Sequence, residues 1–238
     1  MLKKLCGTAL LALCATAPAH AFDAPDIAVG ARISTLGPGL EVATGITPWL
    51  NVRGVINGFN YSKDYTDDED NEYNGKLKLF TTGVLADLHP FKGAFRLTAG
   101  GLYNGFALKG KTKNEQSFEF ETDDYDYSGT GSADAKVDFP TFAPYLGLGW
   151  GRPIKPDGNF WFSFDVGVML QGSLNADLNI RGIGDIKDKQ GNTVEEDVVF
   201  EDQQIVKDDI AKYEGELEDE AKDFKYYPVI GLGFGYKF

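Results

Sequence analysis

KYYPVIGLGFGYKF, residues 225–238, closes the chain. Tyr226, Pro228, Ile230, Leu232, Phe234, Tyr236 and Phe238 occupy every second position. Gly231, Gly233, Gly235 and Lys237 stand between the later ones. Side chains of an extended strand alternate between two faces, so a period of two predicts a strand with one apolar face and one small or polar face. A strand whose outer face ends in phenylalanine and tyrosine needs an apolar environment on that side.

The same alternation recurs upstream and predicts seven more strands. From about Pro25 to Thr35, Ile27, Val29, Ala31 and Ile33 oppose Ala28, Gly30, Arg32 and Ser34. From Gly39 to Thr47, Leu40, Val42, Thr44 and Ile46 oppose Glu41. From Trp49 to Ser62, Leu50, Val52, Gly54 and Ile56 oppose Asn51, Arg53 and Asn57. From Lys76 to Leu88, Leu77, Leu79 and Leu85 are taken as the apolar face, against Lys76, Lys78 and Thr82. From Ala94 to Lys109, Phe95, Leu97, Ala99 and Tyr103 oppose Arg96, Thr98 and Asn104. From Ala135 to Gly151 the apolar face ends in Phe142, Leu146, Leu148 and Trp150. From Asn159 to Asn175, Phe160, Phe162, Phe164, Val166, Val168 and Leu170 oppose Trp161, Ser163, Asp165 and Gly167.

Eight strands with alternating polarity predict an all-β fold, an antiparallel up-and-down barrel. The links after strands two, four and six are short. Those after three, five and seven span 63–73, 111–134 and 185–223, and only the short link after strand one departs from the rule. In outer-membrane barrels short turns lie on the periplasmic rim and long loops outside the cell. The charge is divided the same way. The whole chain carries −13, whereas the three long links together carry −20. In the last link Val199, Val206, Ile210, Tyr213, Leu217, Ala221 and Phe224 recur at steps of three, four and seven, which predicts a helix there.

The first 21 residues read as a cleaved signal peptide. Lys3 and Lys4 precede an apolar run from Leu5 to Ala17, and Ala19-His20-Ala21 supplies the small residues of a cleavage site. Residues 22–238 then form a single barrel domain. Both cysteines, Cys6 and Cys14, lie in the removed segment, so the mature domain has no disulfide.

The polar faces supply the candidate site residues. Arg32, Glu41, Arg53, Lys78, Arg96, Asp165 and Lys237 are expected inside the barrel, where buried charges must pair. An eight-stranded barrel is about filled by its own side chains, so a salt-bridged plug is expected rather than an open pore. Asp67, Asp68 and Asp70 are weak metal candidates, since the cluster lacks the glycine and terminal glutamate of an EF-hand loop. No cofactor motif is present: Gly147 to Gly151 has glycines at dinucleotide-loop spacing, but no helix follows it. The one histidine of the mature domain, His89, falls in a turn on the short-linked rim, so no catalytic residue is assigned and an enzyme is not expected.

With its terminal Phe238, its strand count and its topology, the domain resembles the small eight-stranded outer-membrane β-barrel proteins of Gram-negative bacteria, of the OmpA-barrel, OmpX and OmpW type. That resemblance implies residence in the cell outer membrane. It also implies that Phe234, Tyr236 and Phe238 form the signal read by the barrel-assembly machinery. The partners then expected are membrane lipid, lipopolysaccharide and divalent cations at the acidic loops, and no nucleic acid. The function expected is a structural or interaction role, presenting acidic extracellular loops. The alternatives are a narrow channel or small-solute transporter, and a soluble periplasmic ligand-binding barrel.

Overall fold

Every alternating segment named above is extended in the computed structural model, which describes residues 26–66, 71–154 and 158–238. The proposed signal peptide and Asp67, Asp68 and Asp70 lie outside the described residues. Eight strands build the barrel: β1 (Ile27–Ser34), β2 (Gly37–Thr47), β3 (Leu50–Thr66), β4 (Glu72–Leu88), β5 (Phe95–Asn104), β9 (Phe142–Trp150), β10 (Phe160–Leu170) and β13 (Tyr226–Lys237). Between them in the chain come β6 (Ala107–Thr112), β7 (Gln116–Glu121), β8 (Tyr125–Asp138), β11 (Asn175–Asp188), β12 (Thr193–Val199) and the helix α1 (Gln204–Glu220).

The ring runs β1-β2-β3-β4-β5-β9-β10-β13, and every neighbouring pair is antiparallel. It closes where β13 pairs with β1, from Ala28 opposite Lys237 to Ser34 opposite Gly231. Closure leaves the ring no free edge. The fold class is therefore the expected one, an eight-stranded antiparallel barrel with a helix in its last long link.

The described parts of the long links are mostly strands and a helix, which corrects their reading as loops. They continue the wall of the barrel. The β5–β9 register, Phe95 opposite Trp150, carries on unchanged as β6–β8, Ala107 opposite Asp138. The β4–β5 register likewise continues into β4–β6. Next to them β8 pairs with β11 over fourteen residues, and β12 edges that sheet. On one side of the ring the wall thus rises as a sheet, β3-β4-β6-β8-β11-β12, here called the lip. On the other side β1 turns straight into β2 at Thr35 and Leu36. The short link after strand one marks this low side.

The breaks at the base of the lip explain two misplaced strand ends. The fifth strand was expected to run unbroken to Lys109 and the sixth to begin at Ala135. The chain bends at Gly105 and Phe106, where Phe106 turns inward and meets Tyr227 edge-on at 5.2 Å. The facing strand bends at 139–141, beside Pro140.

The outer face of the ring is apolar. Ile33, Leu40, Val42, Val84, Leu146, Leu148, Phe162, Ile230, Leu232 and Phe234 are all exposed. Trp49, Trp150, Phe160, Tyr236 and Phe238 crowd the short-turn rim, with Tyr236 packed edge-on to both Phe160 and Phe238. Tyr103, Phe142 and Tyr226 stand at the opposite end of their strands. Aromatic girdles at both ends of an apolar band are the exterior of a transmembrane barrel.

The lip has an exposed edge where β11 runs beyond β12. Glutamates cover its amides. Glu218 and Glu214 on α1 accept from the Ala176 and Leu178 N–H groups at 3.2 and 2.6 Å, and Glu201 accepts from Gly182 at 3.1 Å. Unpaired edge amides recruit foreign strands, so these contacts guard the lip. Replacing Glu214 and Glu218 together by alanine is expected to speed hydrogen exchange at the Ala176 and Leu178 amides about tenfold, an opening of about 1.4 kcal/mol. Exchange in β13 should stay unchanged.

Candidate functional site

The interior of an eight-stranded ring is narrow enough for side chains from opposite walls to meet. In this barrel the large residues of some strands lie against glycines of others. A Cβ built on Gly30 or Gly235 would come within 2.4 or 2.6 Å of the Trp161 indole, and one on Gly149 within 2.7 Å of Arg96 Nε. Glycines on β1, β9 and β13 are the seats for these side chains.

At mid-height the lumen is filled by charge. Arg53 on β3 donates to Glu41 Oε2 at 3.0 Å, to Asp87 Oδ1 at 3.1 Å and to Asp165 Oδ2 at 3.2 Å. Its Nε also lies 2.9 Å from Asp87 Oδ2, an ionic contact without hydrogen-bond alignment. Arg96 donates to Asp165 Oδ1 at 2.7 Å and to the Gly151 carbonyl at 2.6 Å. Arg32 lies 3.5 Å from Glu41, and Thr98 donates to Asp87 at 2.7 Å. All six ionisable groups are buried. Three arginines face three carboxylates, so the cluster is neutral. Arg53 and Asp165 stand on strands four places apart in either direction round the ring, and their contact therefore crosses the full lumen.

Apolar layers lie on both sides of the charge. Below it, towards the short turns, Ala28, Ala43 and Trp161 meet Ile154 from the β9–β10 link. Above it Leu36, Val55, Leu85, Leu102, Phe106, Tyr145, Met169 and Val229 form one buried cluster. Buried polar side chains share the upper layer, where Asn57 donates to Thr81 at 3.0 Å and Asn104 and Gln171 are also buried.

Of the expected interior charges, Arg32, Glu41, Arg53, Arg96 and Asp165 come together in this cluster. Lys237 stands apart, half-buried, with its ammonium 3.6 Å from Asp26 near the short-turn rim. Lys78 is exposed and shares its strand parity with exposed Val84. Its placement inside rested on an inverted reading of β4. There Leu85, Asp87 and Thr81 point inward, and Val84 points out. Asp87 went unread for the same reason. The signal was present, because Asp87 has the parity of Leu85, and a carboxylate in that stripe marks it as the lumen face.

Phe234, Tyr236 and Phe238 lie on the outer face at the end of the closing strand. His89 is buried in the turn after β4. Among the described residues no group of three or more histidines, cysteines or acids is placed to hold a metal.

The lip has a core of its own. Tyr127, Ile186, Phe200 and Val206 are buried together, with Phe118, Phe120, Tyr125, Val198 and Ile210 against them. Tyr127 stacks on Phe120 at 4.3 Å and donates to Asp209 on α1 at 2.7 Å. Burial, then this bond to a carboxylate, pushes the Tyr127 phenol well above its ordinary pKa. Lysines tie the acidic segments to one another. Lys212 of α1 reaches Asp123 at 2.8 Å and holds its carboxyl below the usual range through that hydrogen bond. Lys113 bridges Asp64 and Glu72 at 2.9 and 3.6 Å, and Lys189 pairs with Asp126.

No family model matches the chain, and no curated protein matches it. Among solved structures it is similar to CarO2 of Acinetobacter baumannii, with 17% identity over 90% of this chain and 98% of that one, at a TM-score of 0.53. It is also similar to Acinetobacter baumannii CarO, with 16% identity over 89% and 97% of the two chains, at a TM-score of 0.51. At this identity the likeness is one of fold, and it extends over nearly the whole length of both chains.

Removing one partner of a buried ion pair leaves the others uncompensated, at about 3–5 kcal/mol. Arg53→Met leaves the three carboxylates facing only Arg32 and Arg96, with one buried negative charge uncompensated. Urea unfolding of the variant is expected to show a loss in that range. Lys78→Met, on the outer face, should leave the midpoint unchanged within about 0.5 kcal/mol.

Proposed function

We propose that this chain is an outer-membrane anchor, exported by a cleaved N-terminal signal, whose closed barrel carries an acidic lip into the external medium. The lip is its working surface, and its role is interaction rather than catalysis. The observation that carries this reading is the neutral cluster about Arg53. It spans the lumen from wall to wall, with a buried apolar cluster on either side of it, so its side chains fill the cross-section at mid-height. A conducting pore needs a wet interior, as in larger barrels.

The exterior supports the membrane half of the reading. Exposed Phe160, Phe162, Phe234 and Phe238 would be a liability in water and are stabilised in lipid. With the short turns on the periplasmic side, the lip lies outside the cell. Its acids suit divalent cations and, through them, the phosphates of lipopolysaccharide. Phe234, Tyr236 and Phe238 then serve as the strand end offered to the barrel-assembly machinery.

Membrane fractionation with a heat-modifiability gel tests the location. The native protein is expected in the outer membrane, with the unboiled band running ahead of the boiled one. Recovery in the soluble periplasm without that shift would replace the reading with a soluble ligand-binding barrel. Planar bilayers test the lumen. The folded protein should give no discrete conductance steps at 1 M salt, whereas regular steps would make it a narrow channel.

A further inference from the structure

The lip encloses a cavity of about 290 Å3 between α1 and the sheet. Its walls are mostly apolar, with Phe118 and Phe120 on β7, Leu178 and Ile180 on β11, and Ile210 and Tyr213 on α1. The size is at the lower end of the range for small-molecule sites, about 300–1,000 Å3.

One charged wall residue is buried. Asp209 is only 9% exposed. Thr122 Oγ1 and Tyr127 Oη each donate to it at 2.7 Å, and both bonds end on Oδ2. Among the described residues no hydrogen bond reaches Oδ1 and no lysine or arginine pairs with this carboxylate. Lys212, three residues further along the helix, is engaged with Asp123 and Asp124. A buried carboxylate without a cation is costly, and in the lumen of this same protein every such group faces arginine.

We propose that the cavity is a binding site for a small organic cation, with an apolar body among the phenylalanines and an ammonium group against Asp209. Each part of the site answers to one part of such a ligand. The ring faces of Phe118, Phe120 and Tyr213 accept an aromatic or branched aliphatic body, and aromatic faces also attract a nearby cation. Asp209 supplies the counter-charge, and the two donors on Oδ2 hold its carboxyl in one orientation. Glu121, which also lines the cavity, adds negative charge at its wall. The three acidic segments that make up most of the lip raise the local concentration of cations before they enter.

The test is calorimetric titration of the full chain, folded in detergent, with phenethylammonium. 2-Phenylethanol serves as the uncharged probe of nearly the same shape. Phenethylammonium should bind at least tenfold more tightly than the alcohol. Asp209→Asn keeps an oxygen for Thr122 and Tyr127, and it should bring the amine to within threefold of the alcohol. Ile180→Trp fills the cavity and should abolish binding of both, while the heat-shifted band shows that the barrel is intact. Equal affinities for the two probes, an unchanged affinity in Asp209→Asn, or no heat of binding up to millimolar phenethylammonium would each overturn the proposal. The readout depends neither on whether the barrel conducts nor on which membrane holds it.

Discussion

The contact between Arg53 and Asp165 ties opposite walls of the barrel together, and the rest of the interior is arranged round it. A guanidinium can meet several carboxylates at once because its donors fan out in a plane. Arg53 uses that geometry to reach β2, β4 and β10 from β3. Neutrality follows as a constraint. With Arg96 and Arg32 added, each carboxylate has an arginine and each arginine a carboxylate, so no net charge is sealed between the apolar layers. The glycines of β9 and β13 are the steric counterpart. They clear the volume that the arginines and Trp161 occupy.

The chain meets two different solvents and answers each with a separate core. Within the ring the outer face is apolar, and the ions lie inside between two buried apolar clusters. In the lip the usual order returns, with Tyr127, Ile186, Phe200 and Val206 buried and acids at the surface. The inversion occurs within single strands. β4 carries Asp87 into the lumen at one end and pairs with β6 in the lip at the other.

Much of this was legible in the sequence, and the limits have physical causes. A period of two reveals strands wherever one side is uniformly apolar, and seven of the eight ring strands were assigned the right faces on that ground. β4 misled because both of its faces carry leucine or valine near the middle: Leu79 and Leu85 on one, Val84 on the other. Only Asp87 breaks the tie. The lip was hidden for a different reason. Its strands are rich in glycine, serine and acids, which is also the composition of a loop, and the pairing of β6 with β8 is fixed by the register of the barrel beneath. Asp209 lay in a run of helical acids that looked uniformly solvated. Its spacing does separate it from Asp208, since it stands three residues after Val206 and four before Tyr213 on the stripe that packs, but the partners of that stripe, β7 and β8, arrive from elsewhere in the chain.

The β3–β4 hairpin pairs without interruption from Leu50 opposite Leu88 to Thr66 opposite Glu72. It begins at the short-turn rim and ends in the lip, so one ladder runs through both parts of the molecule. A pull on the lip from a bound surface would load this ladder in shear, where many backbone hydrogen bonds resist together, instead of stretching a hinge. The lip therefore behaves as a stiff mast rather than a tethered float. Any load on the lip would pass directly to the barrel wall.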